Sequence, residues 1–309
     1  MNKKTRFSIV IVHFNGYKRL KNLLESVLIF GDSSDEIIVV DNSSEDNSIK
    51  KIKEFYKEKK ITFIDNSSNK GYGFAANQGI NYASGEFLLI CNNDIVLTKN
   101  SLNKFKKIFD AEPMTGMISG QMTDKKGNIS NTVSGEVSFL TQLDGIDKLF
   151  RRKINTKKNI YVKNLRGACL AVRMKTVEEV GAYDEDFFFY FEDSEWCYRI
   201  SKSNWKIVFS PFITFFHEGG GSTSPYFQRS RIEFFRSRLI LWKKIFSPIE
   251  YFILLVWNFS KQFLDFAVYA LLSLLTFFCI EKYKSKALER ILIISWFLFG
   301  KPKNWGLRK

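Results

Sequence analysis

Cysteine and histidine are scarce in this chain of 309 residues, and the scarcity is informative. Cys91, Cys169, Cys197 and Cys279 lie far apart and form no CxxC pair, and only His13 and His217 could join them. A zinc cluster of the usual spacing is therefore excluded. Isolated cysteines of this kind read as reduced, mostly buried thiols of a cytosolic protein. No secretory leader is legible either. The opening MNKKTRFSIVIVHFNG has a basic start, but its apolar run is short and has no small-residue cleavage site, so it reads as a first strand. Acidic residues run short in one region only. Residues 199–309 carry 18 Lys/Arg against 6 Asp/Glu, whereas residues 1–198 carry 29 against 26. Nearly all of the net charge of +15 thus sits in the C-terminal third, where an anionic partner, nucleic acid or acidic lipid, is expected.

What is present is an ordinary folding composition, 45% hydrophobic and 26% charged, long enough for one large or two modest domains. The first part alternates strand and helix signals. Phe7–His13 is a continuous apolar run suited to a strand buried on both faces, and Leu20, Leu23, Leu24, Val27 and Leu28 follow at helical spacing. Strands are predicted at Glu36–Asp41, Ile61–Asp65, Glu86–Cys91 and near Met117–Gln121, with helices at Gly71–Ala83 and Ser101–Asp110. Such repetition predicts a mostly parallel, doubly wound sheet, whose ligands sit outside the carboxyl ends of its strands. His13-Phe14-Asn15, Asp41-Asn42, Asn66–Lys70 and Asn92-Asn93-Asp94 all fall at that edge. Between about 122 and 165 the pattern weakens, with a basic loop at Arg151, Arg152 and Lys153. From Tyr226 the chain reads as helical, with apolar runs at Tyr251–Ile280 and Ile291–Phe299.

Individual motifs admit more than one reading. Gly71-Tyr72-Gly73-Phe74-Ala75-Ala76 fits G-x-G-x-x-G/A, but it follows the third strand rather than the first, which argues against a dinucleotide fingerprint. A glycine turn opening a helix still suits a phosphate. Asp94 closes an apolar strand at the ligand edge, where one carboxylate can hold Mg²⁺ or Mn²⁺ on a diphosphate; a polar strand-end turn is the plain alternative. In FFFYFEDSEWCYR, Glu192 and Asp193 lie where an aromatic run meets a helix, suited to a sugar site with a general base, or simply to a helix cap. His217 precedes three glycines after a probable strand at Phe212–Phe216, a context for a metal or diphosphate.

Taken together, SIVIVHFNG, EIIVVDNSSEDNS, NKGYGFAANQGI, FLLICNNDI, GACLAVR, VGAYDEDFFFYFEDSEWCYR and HEGGGS resemble, in this order and spacing, the family 2 glycosyltransferases, and within them the bacterial rhamnosyltransferase-like group. The resemblance covers about residues 7–245. It implies an α/β, Rossmann-like glycosyltransferase A-type fold that binds a nucleotide-sugar, and inverting, metal-dependent sugar transfer in cell-surface polysaccharide synthesis. It implies that Asn15 and Asp41 contact the nucleoside, with Asn42 and Asn93 beside them, and that Lys70, Gly71 and Asn77 line the donor pocket. By the same resemblance Asp94 is the last carboxylate of a DxD-type motif, His217 a further ligand of Mn²⁺ or Mg²⁺, and Asp193, paired with Glu192, the catalytic base. The family often has an acidic residue where this chain has Asn92-Asn93, which leaves Asp94 alone in that motif.

The expected organisation is a catalytic domain over 1–245, divided into a nucleotide-binding half (1–121) and an acceptor-binding half (122–245), then a helical, membrane-associating extension over 246–309. Arg231, Arg236 and Trp196 are expected at the acceptor, a saccharide or a polyprenyl-diphosphate-linked sugar; the donor is a UDP- or dTDP-sugar, dTDP-rhamnose among them. Apolar helices rimmed by Lys282, Lys284, Lys286, Lys301 and Lys303 suit the anionic inner face of the cell membrane, with Lys261 and Asp265 arguing against a true span. A homo-oligomer is compatible with these features. Two rivals are a sugar nucleotidyltransferase and a basic nucleic-acid-binding protein, against which the chain offers no recognition motif.

Overall fold

The computed structural model describes residues 6–124, 126–144, 156–218 and 226–308. The expected basic loop at Arg151, Arg152 and Lys153 and the glycines Gly219, Gly220 and Gly221 lie outside the described residues. The chain forms two compact units: Met1–Glu136 with Arg152–Glu185 and Glu192–Ser222, and Val137–Arg151 with Asp186–Phe191 and Thr223–Lys309.

In the first unit, β1 (Phe7–His13) is buried along its whole length, as a strand covered on both faces must be. It sits between β2 (Glu36–Asp41) and β4 (Phe87–Asn92), with β3 (Ile61–Asp65) beyond β2, and all of these pairings are parallel. Helices α1 (Tyr17–Phe30), α2 (Ser48–Phe55) and α3 (Tyr72–Tyr82) make the crossovers. Helix α1 buries Leu20, Leu23, Leu24 and Val27, a stripe at helical spacing. Helix α3 lies on the sheet through Gly79, where an added Cβ would stand 2.3 Å from a methyl of Val10.

Beyond β4 the sheet changes character. There follow β5 (Ile95–Leu97), α4 (Ser101–Ala111), β6 (Thr115–Thr123), β7 (Ile129–Ser130), β8 (Ile160–Val162), β9 (Cys169–Arg173) and β10 (Lys206–His217). The strand order is β3-β2-β1-β4-β9-β6-β10-β5, and β9 runs antiparallel to both its neighbours, β4 and β6. The predicted mostly parallel sheet is therefore mixed. Across the β4–β9 pair the free thiols of Cys91 and Cys169 face each other with Sγ atoms 3.6 Å apart; Cys197 is also buried, while Cys279 is exposed.

The second unit contains α5 (Phe139–Gln142), and the first unit's remaining helices are α6 (Met174–Val180) and α7 (Glu192–Lys202). Three long helices complete the second unit: α8 (Phe227–Ile245), α9 (Pro248–Leu275) and α10 (Glu281–Leu298). Their core gathers Ile232, Phe235 and Trp242 from α8, Leu254 from α9, and Ile293 and Trp296 from α10. Ser247 and Glu250 cap α9 reciprocally, with Pro248 in the first turn where its missing N–H costs nothing. The chain's last residues bed against α8. Buried Glu233 accepts from Arg308 Nε at 3.2 Å and from the Leu307 N–H at 3.2 Å, and Arg308 also donates to the Asp186 carbonyl at 2.6 Å. Among the described residues no helix is long and apolar enough to cross a membrane.

Candidate functional site

Strand register brings the polar clusters to one edge. His13 pairs with Asp41, Asp41 with Asp65, and Val12 with Asn92, so the loops after β1, β2, β3 and β4 leave the sheet side by side. Asn15, at φ 57°, accepts from the N–H groups of Glu45 (2.7 Å) and Asp46 (3.2 Å) through its side chain, tying the first loop to the second. Asp41 is buried, and burial raises its carboxyl above the ordinary range against two hydrogen bonds from Ser44. Asn42 organises the third loop: its amide donates to Asn69 (2.9 Å) and to the Gly71 carbonyl (3.1 Å), and its oxygen accepts from Asn66. Gly71, at φ 102°, opens α3, and Lys70 extends its ammonium over the Phe74 ring at 4.7 Å.

Asn93 and His13 form a closed unit beneath these loops. The Asn93 amide nitrogen donates to His13 Nδ1 (2.8 Å) and to the Asn15 carbonyl (2.9 Å), which places the imidazole proton on Nε2, facing Ser48 at 2.8 Å. Burial pushes the His13 pKa down to about 4, so the ring is neutral at physiological pH.

Antiparallel pairing of β5 with β10 sets Ile95 beside His217, and the Glu218 N–H donates to the Asp94 carbonyl at 3.1 Å. The side chains follow. His217 Nε2 lies 3.4 Å from Asp94 Oδ1, a buried oxygen with no hydrogen-bond partner among the described residues. A carboxylate oxygen left without a donor beside an imidazole nitrogen fits a divalent cation. No group of three or more His, Cys, Asp or Glu that could hold a metal occurs among the described residues, so the fit is one of two protein donors, with phosphate oxygens and water left to complete a shell.

Glu192 and Asp193 open α7. The chain enters this helix through Tyr190 and Phe191, both left-handed (φ 72° and 67°), a conformation costing roughly 1 kcal/mol per residue outside glycine. Within the second unit this turn is held by Ser237, which donates to the Phe189 carbonyl at 2.8 Å, and by Phe234, whose ring meets those of Tyr190 and Phe191 at 5.4 and 4.8 Å. Asp193 accepts from the Gly167 N–H (2.8 Å), the Ser194 N–H (2.6 Å) and the Ser194 hydroxyl (3.2 Å). A Cβ on Gly167 would stand 3.0 Å from that of Asp193, so glycine gives this donor its approach. Burial raises both carboxyls, but the donors and the charge of Arg166 counteract it at Asp193. Glu192 Oε2 has no hydrogen-bond partner among the described residues, and burial plus the Asp193 charge push its pKa to about 8. With its pKa near 8, Glu192 keeps its proton at neutral pH, while the donors at Asp193 favour its charged form.

Several features escaped the sequence reading. The hydroxyls of Tyr72 and Tyr183 are buried without hydrogen-bond partners among the described residues; their rings meet edge-on at 5.9 Å, and both feel the charges of Glu192 and Asp193. Both tyrosines lie inside motifs quoted above, where nothing marked them out. Other residues expected at ligands have protein partners. The Asn77 amide is fully engaged with the Tyr183 backbone (2.9 and 3.0 Å) and Glu185 (2.9 Å). Trp196 is completely buried, donates to the Gly181 carbonyl at 2.8 Å and packs on Tyr183. Arg231 and Arg236 belong to the second unit, where they pair with Glu289 (2.6 Å) and Glu233 (2.5 Å).

The sequence profile of Glycosyl transferase family 2 matches residues 8–181. The low-salt glycan biosynthesis hexosyltransferase Agl10 of Haloferax volcanii is 26% identical over 205 residues, covering 65% of this chain and 63% of that protein. The poly-beta-1,6-N-acetyl-D-glucosamine synthase of Staphylococcus epidermidis is 22% identical over 204 residues, 66% of this chain and 48% of the relative. The chain thus spans between about half and just under two thirds of the length of these curated relatives. Among solved structures, the mannosyltransferase PcManGT of Pyrobaculum calidifontis, in complex with GDP-Man and Mn²⁺, shares the fold with a TM-score of 0.57 at 13% identity, over 96% of this chain and 87% of that one. GalNAc-T7 with UDP, GalNAc and Mn²⁺ gives a TM-score of 0.58 at 18% identity, over 76% and 48%.

Proposed function

The chain belongs to glycosyl transferase family 2, and from that premise we propose that it transfers a hexose from a nucleotide-sugar to a saccharide or lipid-linked acceptor in glycan synthesis, with inversion at the anomeric carbon. The observation that carries this reading is the Glu192–Asp193 pair, in which Asp193 accepts from two backbone N–H groups while burial and the Asp193 charge push Glu192 to about 8. Asp193 accepts the proton of the acceptor hydroxyl. As the bond from that oxygen to the anomeric carbon forms, the bond to the donor diphosphate breaks on the opposite face of the sugar. With Glu192 raised to about 8, the pair offers Asp193 as a base and no second carboxylate as nucleophile, which favours a direct displacement over a double one.

The nucleoside end of the donor is assigned to the loops of Asn15, Asp41 and Asn42, and its diphosphate to Lys70, Gly71 and the edge near Asp94. Asp94 and His217 would hold Mn²⁺ or Mg²⁺, which supplies positive charge against the leaving diphosphate. The relatives are named for hexose and N-acetylglucosamine chemistry, so UDP-sugars stand beside dTDP-rhamnose as donors to be tested. We place the enzyme at the inner face of the cell membrane, held by its C-terminal region. The deciding experiment is Asp193→Asn. Transfer should fall by at least about a thousandfold, while thermal stabilisation by nucleotide-sugar is retained; appreciable turnover in this variant refutes the assignment.

A further inference from the structure

Helix α9 is built inside out. Across residues 252–275 every exposed side chain is apolar except Ser260. Phe252, Val256, Leu264, Val268, Leu271 and Leu275, spaced by three, four or eight, lie 47–66% exposed along it. The buried positions are Leu254, Asn258, Gln262 and Ser273, three of them polar. The charges inside the apolar run turn inward as well: Lys261 pairs with Asp265 at 2.9 Å, and Asp265 with Arg290 of α10 at 3.5 Å, whose guanidinium also donates to Gln262 at 3.2 Å. A helix facing water has the opposite arrangement.

The turn after α9 repeats the message. Phe278 donates from its N–H to the Ser273 carbonyl and Phe277 to that of Leu274, the pairing that closes a helix on a left-handed residue, usually glycine. Helix α10 ends in the same way, with Gly300 in that position at φ 78°. At the end of α9 the position is Phe277, at φ 46°, followed by Phe278 at φ 57°, and their rings are 86% and 56% exposed. The chain accepts a strained turn and leaves two phenylalanines outside it.

We propose that the outer face of α9 and the Phe277-Phe278 turn lie in the interface of an anionic lipid bilayer, with the helix parallel to its plane. Helix α9 has 28 residues and is therefore about 42 Å long; since no described helix suits a span, burial of one face is the arrangement left to it. Charge selects the occupant. Residues 246–309 carry nine Lys/Arg against four Asp/Glu, and exposed Lys282 and Lys284 follow the phenylalanine turn directly. A second copy of the chain would bring the same positive rim against this one, whereas acidic headgroups neutralise it. The inference rests on the peripheral location proposed above and gives it a face and an orientation.

The test uses the full chain and vesicles of phosphatidylcholine, with or without phosphatidylglycerol. The chain should pellet with the anionic vesicles, and Leu264→Asp with Leu271→Asp should weaken this by more than about tenfold, since a carboxylate in an apolar layer costs a few kcal/mol. Both positions face outward, so nucleotide-sugar should stabilise the variant as it does the parent. Bromine-labelled acyl chains should quench tryptophan emission, and Trp257→Phe should remove most of that quenching while the protein still pellets. Unchanged pelleting of the double variant overturns the proposal. So does a dimer in sedimentation velocity that the double variant breaks without vesicle binding by the parent, which would give the face to a second copy. Absence of donor stabilisation in the parent would count against the transferase reading and leave this one standing.

Discussion

At the scale of single residues, the candidate site is a set of protonation states fixed by burial and donors. Glu192 is raised in the folded chain to about 8 from an ordinary 4.5, so folding favours its neutral form. That contribution to stability is complete below the unfolded value and is lost as pH rises through about 8. Glu192→Gln keeps the shape without the titration, so its melting temperature should hold between pH 5 and 9 where that of the parent falls by several degrees. Asp193 remains, so transfer should persist in this variant. His217→Ala tests the cation. Nucleotide-sugar stabilisation should then need roughly ten times more Mn²⁺ or more, if the imidazole is one of two protein ligands, and an unchanged Mn²⁺ requirement removes His217 from the site. Asp41, Asp94, Asp193 and His217 could be nominated from the sequence because each lies at a strand end or beside a helix start, where a charge marks a loop. The partners of Asn77 and Trp196 were not legible for a physical reason: they come from residues 183–185 and 181, and no spacing in the sequence reports that contact.

At the scale of elements, β1 to β4 with their helices follow from burial on both faces and glycine placement. The antiparallel β9 does not, because an apolar five-residue run such as CLAVR carries no record of direction. Helix α9 shows the same limit from another side: an apolar run broken by Lys261 and Asp265 is visible in the sequence, but which face turns outward is decided by Arg290 and Gln262. Helix α3 and the segment before the aromatic run are joined by Asn77, which makes three hydrogen bonds to residues 183 and 185. Asn77→Ala leaves the Tyr183 backbone groups without these partners, at a cost of about 1–3 kcal/mol. It should lower the melting temperature and loosen donor binding together; a change in donor affinity at unaltered stability would instead make Asn77 a direct ligand contact.

At the scale of the molecule, two units share one chain, and Asp186–Phe191 belongs to the second although residues on either side of it belong to the first. The turn that delivers Glu192 and Asp193 is thus fastened among helices near the end of the chain. Removing residues 302–309 takes away Arg308 and its hydrogen bonds to Glu233 and the Asp186 carbonyl. The truncated chain should still be stabilised by nucleotide-sugar, since the loops assigned to the donor lie in the first unit, while kcat falls by on the order of a hundredfold through misplacement of the base. A matched loss of donor stabilisation would show instead that the first unit depends on the tail for its own folding.

That fastening also has a consequence in time. Arg308 is 122 residues downstream of Asp186, the carbonyl it holds. On a growing polypeptide the parallel strands β1 to β4 and their helices can pair as they emerge, because their contacts are short in sequence. The turn into Glu192 and Asp193 has no such option. It can be set only after Arg308 has been made and has folded back, so the turn into the carboxyl pair is completed well after the strands that precede it.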